Sequence, residues 1–429
     1  MAPTSRRAVV TGLGVVSPLG CGVTPFWESL IGRKSGIRTI QLFDAAGFPV
    51  RIAGEVPDFD AKSFIDKKDR KSLRVMARSI QLAVAAAQLA IDDSAIDKEK
   101  LDPTRFGVEF GAGLISTELE ELGPAAQVSA NCQPESVDIE KWGEQGLPII
   151  PPLWMLKYLP NMLACHVSIL HNAQGPNNTI TETDVASLLA FGEAYRIVAR
   201  EQADFMLAGG GDSKINPLSM VRQCLFLPLS RRNDAPDKAS RPFDRDRDGT
   251  VLGEGSGVLV VEDLEHARRR GARIYAEIVG FGAAFDRDRS GEGLARAITA
   301  ALNEAGIGPD DVDHVNAQGT SDVRSDAWEA QGIAKVFGNR REPVPVFALK
   351  SYIGNLGAGS GATELIASVL ALTHARVPAT LNYEHADPAC PVCVTTAPRP
   401  TRRPFVLKIA FTDMGQCAAV VLRHFESSN

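Results

Sequence analysis

Three polar residues stand where this chain changes from strand to turn or helix. Asp184 follows Gly175-Pro176 and the segment NNTITET, directly ahead of an alanine-rich helical stretch. Aspartate there suits a helix N-cap and the positive end of the helix dipole. Gln318 sits in Asn316-Ala317-Gln318-Gly319-Thr320, where a strand runs into a glycine turn, and Asn355 follows Gly354 in LKSYIGNLG. Both amides donate and accept hydrogen bonds, but neither titrates near neutral pH. A carboxylate among such groups could work as an acid or base, and it would do so without a histidine. His314, four residues before Gln318, reads as a strand or core histidine, and His166 and His171 flank a helix.

Other reactive residues offer less. The cysteines number seven, an odd count scattered along the chain, which is not a disulfide framework. Cys390 and Cys393 form a lone C-x-x-C with no second pair and no histidine at zinc-finger spacing, and read as unpaired thiols in a loop. No metal or cofactor site is expected. A basic run, Lys67, Lys68, Arg70, Lys71 and Arg74, opens a helical stretch and is either a docking patch or a solvated face.

The elements that must position these residues alternate. Strand-like runs are Arg7–Val16, Arg105–Gly113, Ala203–Gly211, the end of Val251–Glu262, Arg273–Phe281, Val312–Gln318, Val344–Leu349, Arg403–Phe411 and Ala418–Phe425. Helical periodicity covers Pro25–Leu30, Asp66–Ser94, Asp184–Glu201, Gly291–Ala305, Ser325–Phe337 and Gly361–Ala375. Strands alternating with helices in both halves predict α/β layering. Asn131–Pro152 is acidic, contains proline and lacks periodicity, so it reads as a surface excursion. A net charge of −6 with no basic tail argues against a nucleic-acid partner. No apolar run has the length of a membrane span and no secretory h-region opens the chain, so no membrane partner and a cytoplasmic location are expected.

Four stretches in this order carry a family resemblance: RRAVVTGLGVVSPLG at the start, RPFDRDRDGTVLGEGSGVLVVEDLEHARRRGARIYAEIVGFG over Arg241–Gly282, VNAQGTSD over Val315–Asp322, and LKSYIGNLGAGSG over Leu349–Gly361. Together they resemble the type II β-ketoacyl-ACP synthases of fatty-acid and polyketide synthesis over nearly the whole chain. The resemblance implies a thiolase-type duplicated α/β fold in five alternating layers and a dimer. Its halves are expected at residues 1–262 and 263–429. It also implies a partner set: an acyl carrier protein, and either a ketosynthase subunit or a second copy of this chain. The two-fold contact is expected along about Asn177–Glu182 and the helical stretch Pro152–Leu170.

In that family a cysteine at a helix N-terminus attacks an acyl thioester, and two histidines assist decarboxylation of malonyl-ACP. The positions equivalent to that triad are Asp184, Gln318 and Asn355. Gln318 and Asn355 lie 37 positions apart with an intact motif between them, so the registration holds. Lys350 matches the family's supporting lysine, and Asp326 and Glu329 match its acidic pair. The gate loop aligns with Phe411 to Gly415 and puts Asp413 at the gate position, where a carboxylate disfavours an apolar chain. Asp413 close to Asp184 would raise the pKa of one of them. Lys67, Arg70 and Lys71 match carrier-protein contacts of related synthases. The resemblance implies a catalytically silent partner subunit, similar to the chain-length factor (KSβ), although the usual replacement of its cysteine is glutamine. An enzyme of altered chemistry using Asp184 and a homodimeric carrier-binding scaffold are the alternatives.

Overall fold

The computed structural model of the protein describes residues 6–130 and 136–426. The opening apolar run folds as β1 (Ala8–Ser17), buried at every position because the strand lies between helical layers on both faces. The strands that follow are β2 (Phe106–Ala112), β3 (Asn177–Ile180), β4 (Phe205–Ser213), β5 (Glu254–Asp263), β6 (Ala276–Phe285), β7 (Val312–Asn316), β8 (Pro345–Phe347), β9 (Phe405–Phe411) and β10 (Gln416–His424). They line up as β3-β2-β4-β5-β1-β6-β10-β9-β7-β8, with the short pair Cys393–Val394 outside β8.

That order is a duplication. Outward from the β1/β6 seam, one side runs β1, β5, β4, β2, β3 and the other β6, β10, β9, β7, β8, the same sequence of positions. Directions repeat too. β2 is parallel to β3 and β4, with β5 antiparallel to β4 and β1. β7 is parallel to β8 and β9, with β10 antiparallel to β9 and β6. Only Ala8, Val9 and Val10 pair across the seam.

Helices complete the layers: α1 (Val23–Ile31), α2 (Arg78–Ser94), α3 (Met162–His171), α4 (Ala186–Ala199), α5 (Pro217–Phe226), α6 (Glu292–Ala305), α7 (Val323–Phe337) and α8 (Ser360–Thr373). The central core joins α4 and α8 to the inner faces of both half-sheets, through Leu188, Phe191, Leu365 and Val369. One outer core packs α2 and α3 on β2, and the other packs α6 and α7 on β7, β9 and β10. The result is the expected five-layer thiolase-type arrangement. Glycine lets the central helices come close. A Cβ on Gly111 would lie 2.2 Å from Ser187 N, and one on Gly257 would lie 2.5 Å from Thr363 N.

Some expectations need correction, and others match the structure. The helix expected from Asp66 starts at Arg78. Arg70–Val75 is a 3-10 turn, and Met76 and Ala77 are extended. Arg70 donates back to the carbonyls of Lys62 and Ile65, which folds this segment onto the preceding loop, so the basic run lies ahead of the helix. His166 and His171 lie within α3, both buried. His314 is a buried strand histidine bonded to Asp313. Cys390 is buried and Cys393 exposed, both as free thiols. Of the expected surface excursion, residues 131–135 lie outside the described residues, and Ile139–Ile149 forms short helical turns with exposed apolar side chains. Among the described residues no helix is long and apolar enough to cross a membrane.

Candidate functional site

Asp184, Gln318 and Asn355 converge. All three line one cavity of about 290 Å³, together with Thr183, Asp212, Lys214, Phe226, Thr250, Thr320, Arg324, Phe411 and Asp413. No cysteine and no histidine lines it among the described residues.

Asp184 reaches the cavity from a 3-10 turn, Thr183–Val185, between β3 and α4. It does not cap the helix, contrary to expectation. The N-cap is Val185, and no side-chain capping bond is present. Thr183 holds φ 43, a left-handed conformation that is uncommon for a β-branched residue. The carboxyl group instead takes a hydrogen bond from Asn355. Asn355 Oδ1 accepts from Gly357 N (3.1 Å) and Ser360 Oγ (3.0 Å), which leaves its amide N–H free to face Asp184. Asp184 is half-buried, and burial pushes its pKa up to about 6. The carboxylates of Asp413 and Asp212 push the same way, while Lys350 and the Asn355 bond oppose them.

Gln318 hangs from the turn after β7. Glu329 on α7 accepts from the backbone N–H groups of Gln318 (2.6 Å) and Gly319 (2.8 Å). The side-chain amide donates to Phe411 O at the end of β9 (2.9 Å), and Oε1 has no partner. Burial, then the neighbouring Asp326, raises Glu329 to about 8. Burial also raises Asp326 to about 6, against hydrogen bonds from Phe243 N and Thr320 and the charge of Arg247.

Lys350 does not contact Asp326 or Glu329. It binds Glu364 on α8, whose second oxygen lies 2.7 Å from Lys408 Nζ on β9. All three are buried, and burial lowers the Lys408 pKa. Glu364 and Lys408 escaped the sequence reading, although each had a visible signal: a lone charge inside an apolar helix (GATELIASV) and inside an apolar strand (FVLKIAF). Asp212 was missed as well. It holds Lys214 (3.2 Å) and accepts from Ser213 N.

Asp413 sits at the mouth, exposed, on the turn between β9 and β10, and Phe411 is buried beneath it. Lys67, Arg70 and Lys71 are exposed ahead of α2 and do not line the cavity. One group among the described residues has metal-ligand spacing: Asp244, Asp246 and His385. Asp244 already accepts from the N–H groups of Asp246, Glu384 and His385 and pairs with Arg241, which makes it a structural corner.

The raised Asp184 pKa is a stability statement. The folded state holds this proton more tightly than the unfolded chain does, so stability falls as pH rises from about 4 to about 6 and stays reduced above that. Asp184→Asn removes the charge. Allowing for partial exposure, it is expected to gain about 2 kcal/mol at about pH 8 and little at about pH 4. Urea midpoints of both proteins at the two pH values check this, and equal gains at both would refute it.

A duplicated five-layer sheet with a polar cavity where the loops after β3, β7 and β8 meet defines a thiolase-type protein. Residues 5–267 match the family model "Beta-ketoacyl synthase, N-terminal domain" and residues 275–384 match "Beta-ketoacyl synthase, C-terminal domain". The chain belongs to the β-ketoacyl synthase family. It is 39% identical over 391 residues to the 3-oxoacyl-[acyl-carrier-protein] synthase 2 of Coxiella burnetii, covering 90% of each chain. Among solved structures, it resembles one described as the ishigamide ketosynthase/chain length factor, with TM-score 0.86 and 29% identity over 98% of this chain and 100% of that one. It also resembles a complex described as AntDE:AntF, a type II PKS acyl-carrier protein with its ketosynthase bound to the hexaketide. There the TM-score is 0.83, with 28% identity over 98% of this chain and 100% of that one.

Proposed function

We propose that this chain is a non-condensing member of the family that pairs with an active ketosynthase in type II polyketide or fatty-acid synthesis, in the role of a chain-length factor. The observation that carries this reading is the cavity itself. Asp184, Gln318 and Asn355 stand together where the nucleophile and its two histidines are expected, and among the described residues no thiol or imidazole lines the cavity. Lys350 with Glu364, and separately Asp326 and Glu329, then maintain buried polar groups of the fold and do not assist histidines.

The surface supports pairing. β3 is the outer strand of its half-sheet, with Asn177 and Asn178 exposed, and an unpaired edge is a template for a partner strand. Near it, Leu153, Met155, Leu159 and Ile169 are exposed, the last by 73%. Such an apolar face fits a subunit contact. Exposed Lys67, Arg70 and Lys71 suit docking of an acidic carrier protein.

Co-expression with a type II ketosynthase, followed by native mass measurement, tests the role. A one-to-one heterodimer is the expected result. A stable self-dimer with no affinity for the ketosynthase contradicts it and favours the scaffold reading. One observation favours a second reading, an enzyme of altered acid–base chemistry: a carboxyl with a pKa of about 6 beside a second carboxylate. Release of CO2 that vanishes in Asp184→Ala would select it.

A further inference from the structure

Several of the cavity's donors are already engaged. Lys214 Nζ is taken by Leu114 O (2.7 Å) and Asp212 (3.2 Å). One N–H of the Asn355 amide goes to Asp184, and one of the Gln318 amide to Phe411 O. Arg324, at the start of α7, is exposed. Acceptors remain. Gln318 is fully buried, lines the cavity, and its Oε1 has no donor. Asp184 accepts a single side-chain hydrogen bond, and the Asp413 carboxylate has no side-chain partner among the described residues. A buried acceptor left without a donor is costly, and carboxylates that repel each other are relieved by a cation between them. The cavity, at about 290 Å³, is at the small end for ligand sites.

We propose that this cavity takes a ligand bearing a primary ammonium group, held by the Asp184 carboxylate, with Asp413 and Gln318 Oε1 as the further acceptors. The proposal rests on the reading above that the cavity is not a condensing site. The ammonium belongs either to a free short-chain amine or to the distal end of a carrier-bound acyl chain. An ammonium supplies three donors and a positive charge. A carboxylate-bearing ligand such as malonyl would meet the carboxylates of Asp184 and Asp413, while the lining cations are Lys214, paired with Asp212, and the exposed Arg324.

Calorimetric titration of the full chain with n-butylamine, n-butanol and butyrate tests the class. Saturable binding of the amine alone is expected, weakened roughly tenfold or more by Asp184→Asn and measurably by Asp413→Asn, as for loss of a charge-assisted hydrogen bond. The proposal is overturned if the amine does not bind, if butanol or butyrate binds as well, or if neither substitution weakens the amine. Carrier protein loaded with aminobutyryl or butyryl chains separates the sources. Tighter retention of the aminobutyryl form assigns the ammonium to a carrier-bound chain, whereas equal retention with n-butylamine binding assigns it to a free amine. Failure of the non-condensing reading registers separately, as CO2 release from malonyl-loaded carrier protein.

Discussion

Glu364→Leu is expected to cost the fold about 3–5 kcal/mol, the range for removing one partner of a buried ion pair. Glu364 binds Lys350 through one oxygen and Lys408 through the other, and all three side chains are buried. Without it, two ammonium groups face each other in the core. Lys408 already feels Lys350 as a destabilising neighbour. Its other contacts are the carbonyls of Asn316, Ala317 and Ile409, which satisfy hydrogen bonds but carry no countercharge. Urea unfolding near neutral pH measures the loss. Glu364→Gln keeps the shape and is expected to be milder. Replacing all three residues by apolar ones of similar volume should recover most of the loss, because no charge is then left buried. A Glu364→Leu cost below about 1 kcal/mol would mean that the lysines shed their protons or reach water, and that the network is not what holds α8 to β9.

Asp184→Cys on its own is expected to give no ketosynthase turnover. The new thiol would stand at the head of α4 beside Gln318 and Asn355, which cannot exchange protons near neutral pH. Asp413 and Asp212, which raise the Asp184 pKa, would raise a thiol pKa as well. Adding Gln318→His and Asn355→His restores the missing groups. General acid–base assistance contributes typically about 10²–10⁴-fold, so the triple variant is expected to exceed the single one by at least about 10²-fold. Condensation product from carrier-bound substrates checks both. Turnover by the single variant would show that the amides suffice and that the loss of function lay in the nucleophile alone.

The sequence was read correctly where a periodic signal matched a physical role. β1, β4 and β9 are apolar runs because both faces of each strand are covered, and each lies within about two residues of its expected position. The convergence of Asp184, Gln318 and Asn355 followed from motif order, since the turns after β3, β7 and β8 open on the same cavity. Other features were not legible. The periodicity over Asp66–Ser94 continues through a 3-10 turn, and nothing local marks Met76 and Ala77 as extended. Asp184 looked like a helix cap because its position suits one, but its carboxyl accepts a hydrogen bond from Asn355, a residue 171 positions away in the chain. Glu364 and Lys408 share the same character: each is a single charge in an apolar element, and only the tertiary fold shows that each is the other's partner.

The most direct test of the account is an intact-mass and CO2-release assay of the purified chain alone, given malonyl-loaded and acyl-loaded carrier protein, with Asp184→Ala as control. The account predicts no covalent acyl adduct, and no CO2 above the level of the control. An adduct, or CO2 release that disappears in Asp184→Ala, would contradict it and make Asp184 a catalytic residue.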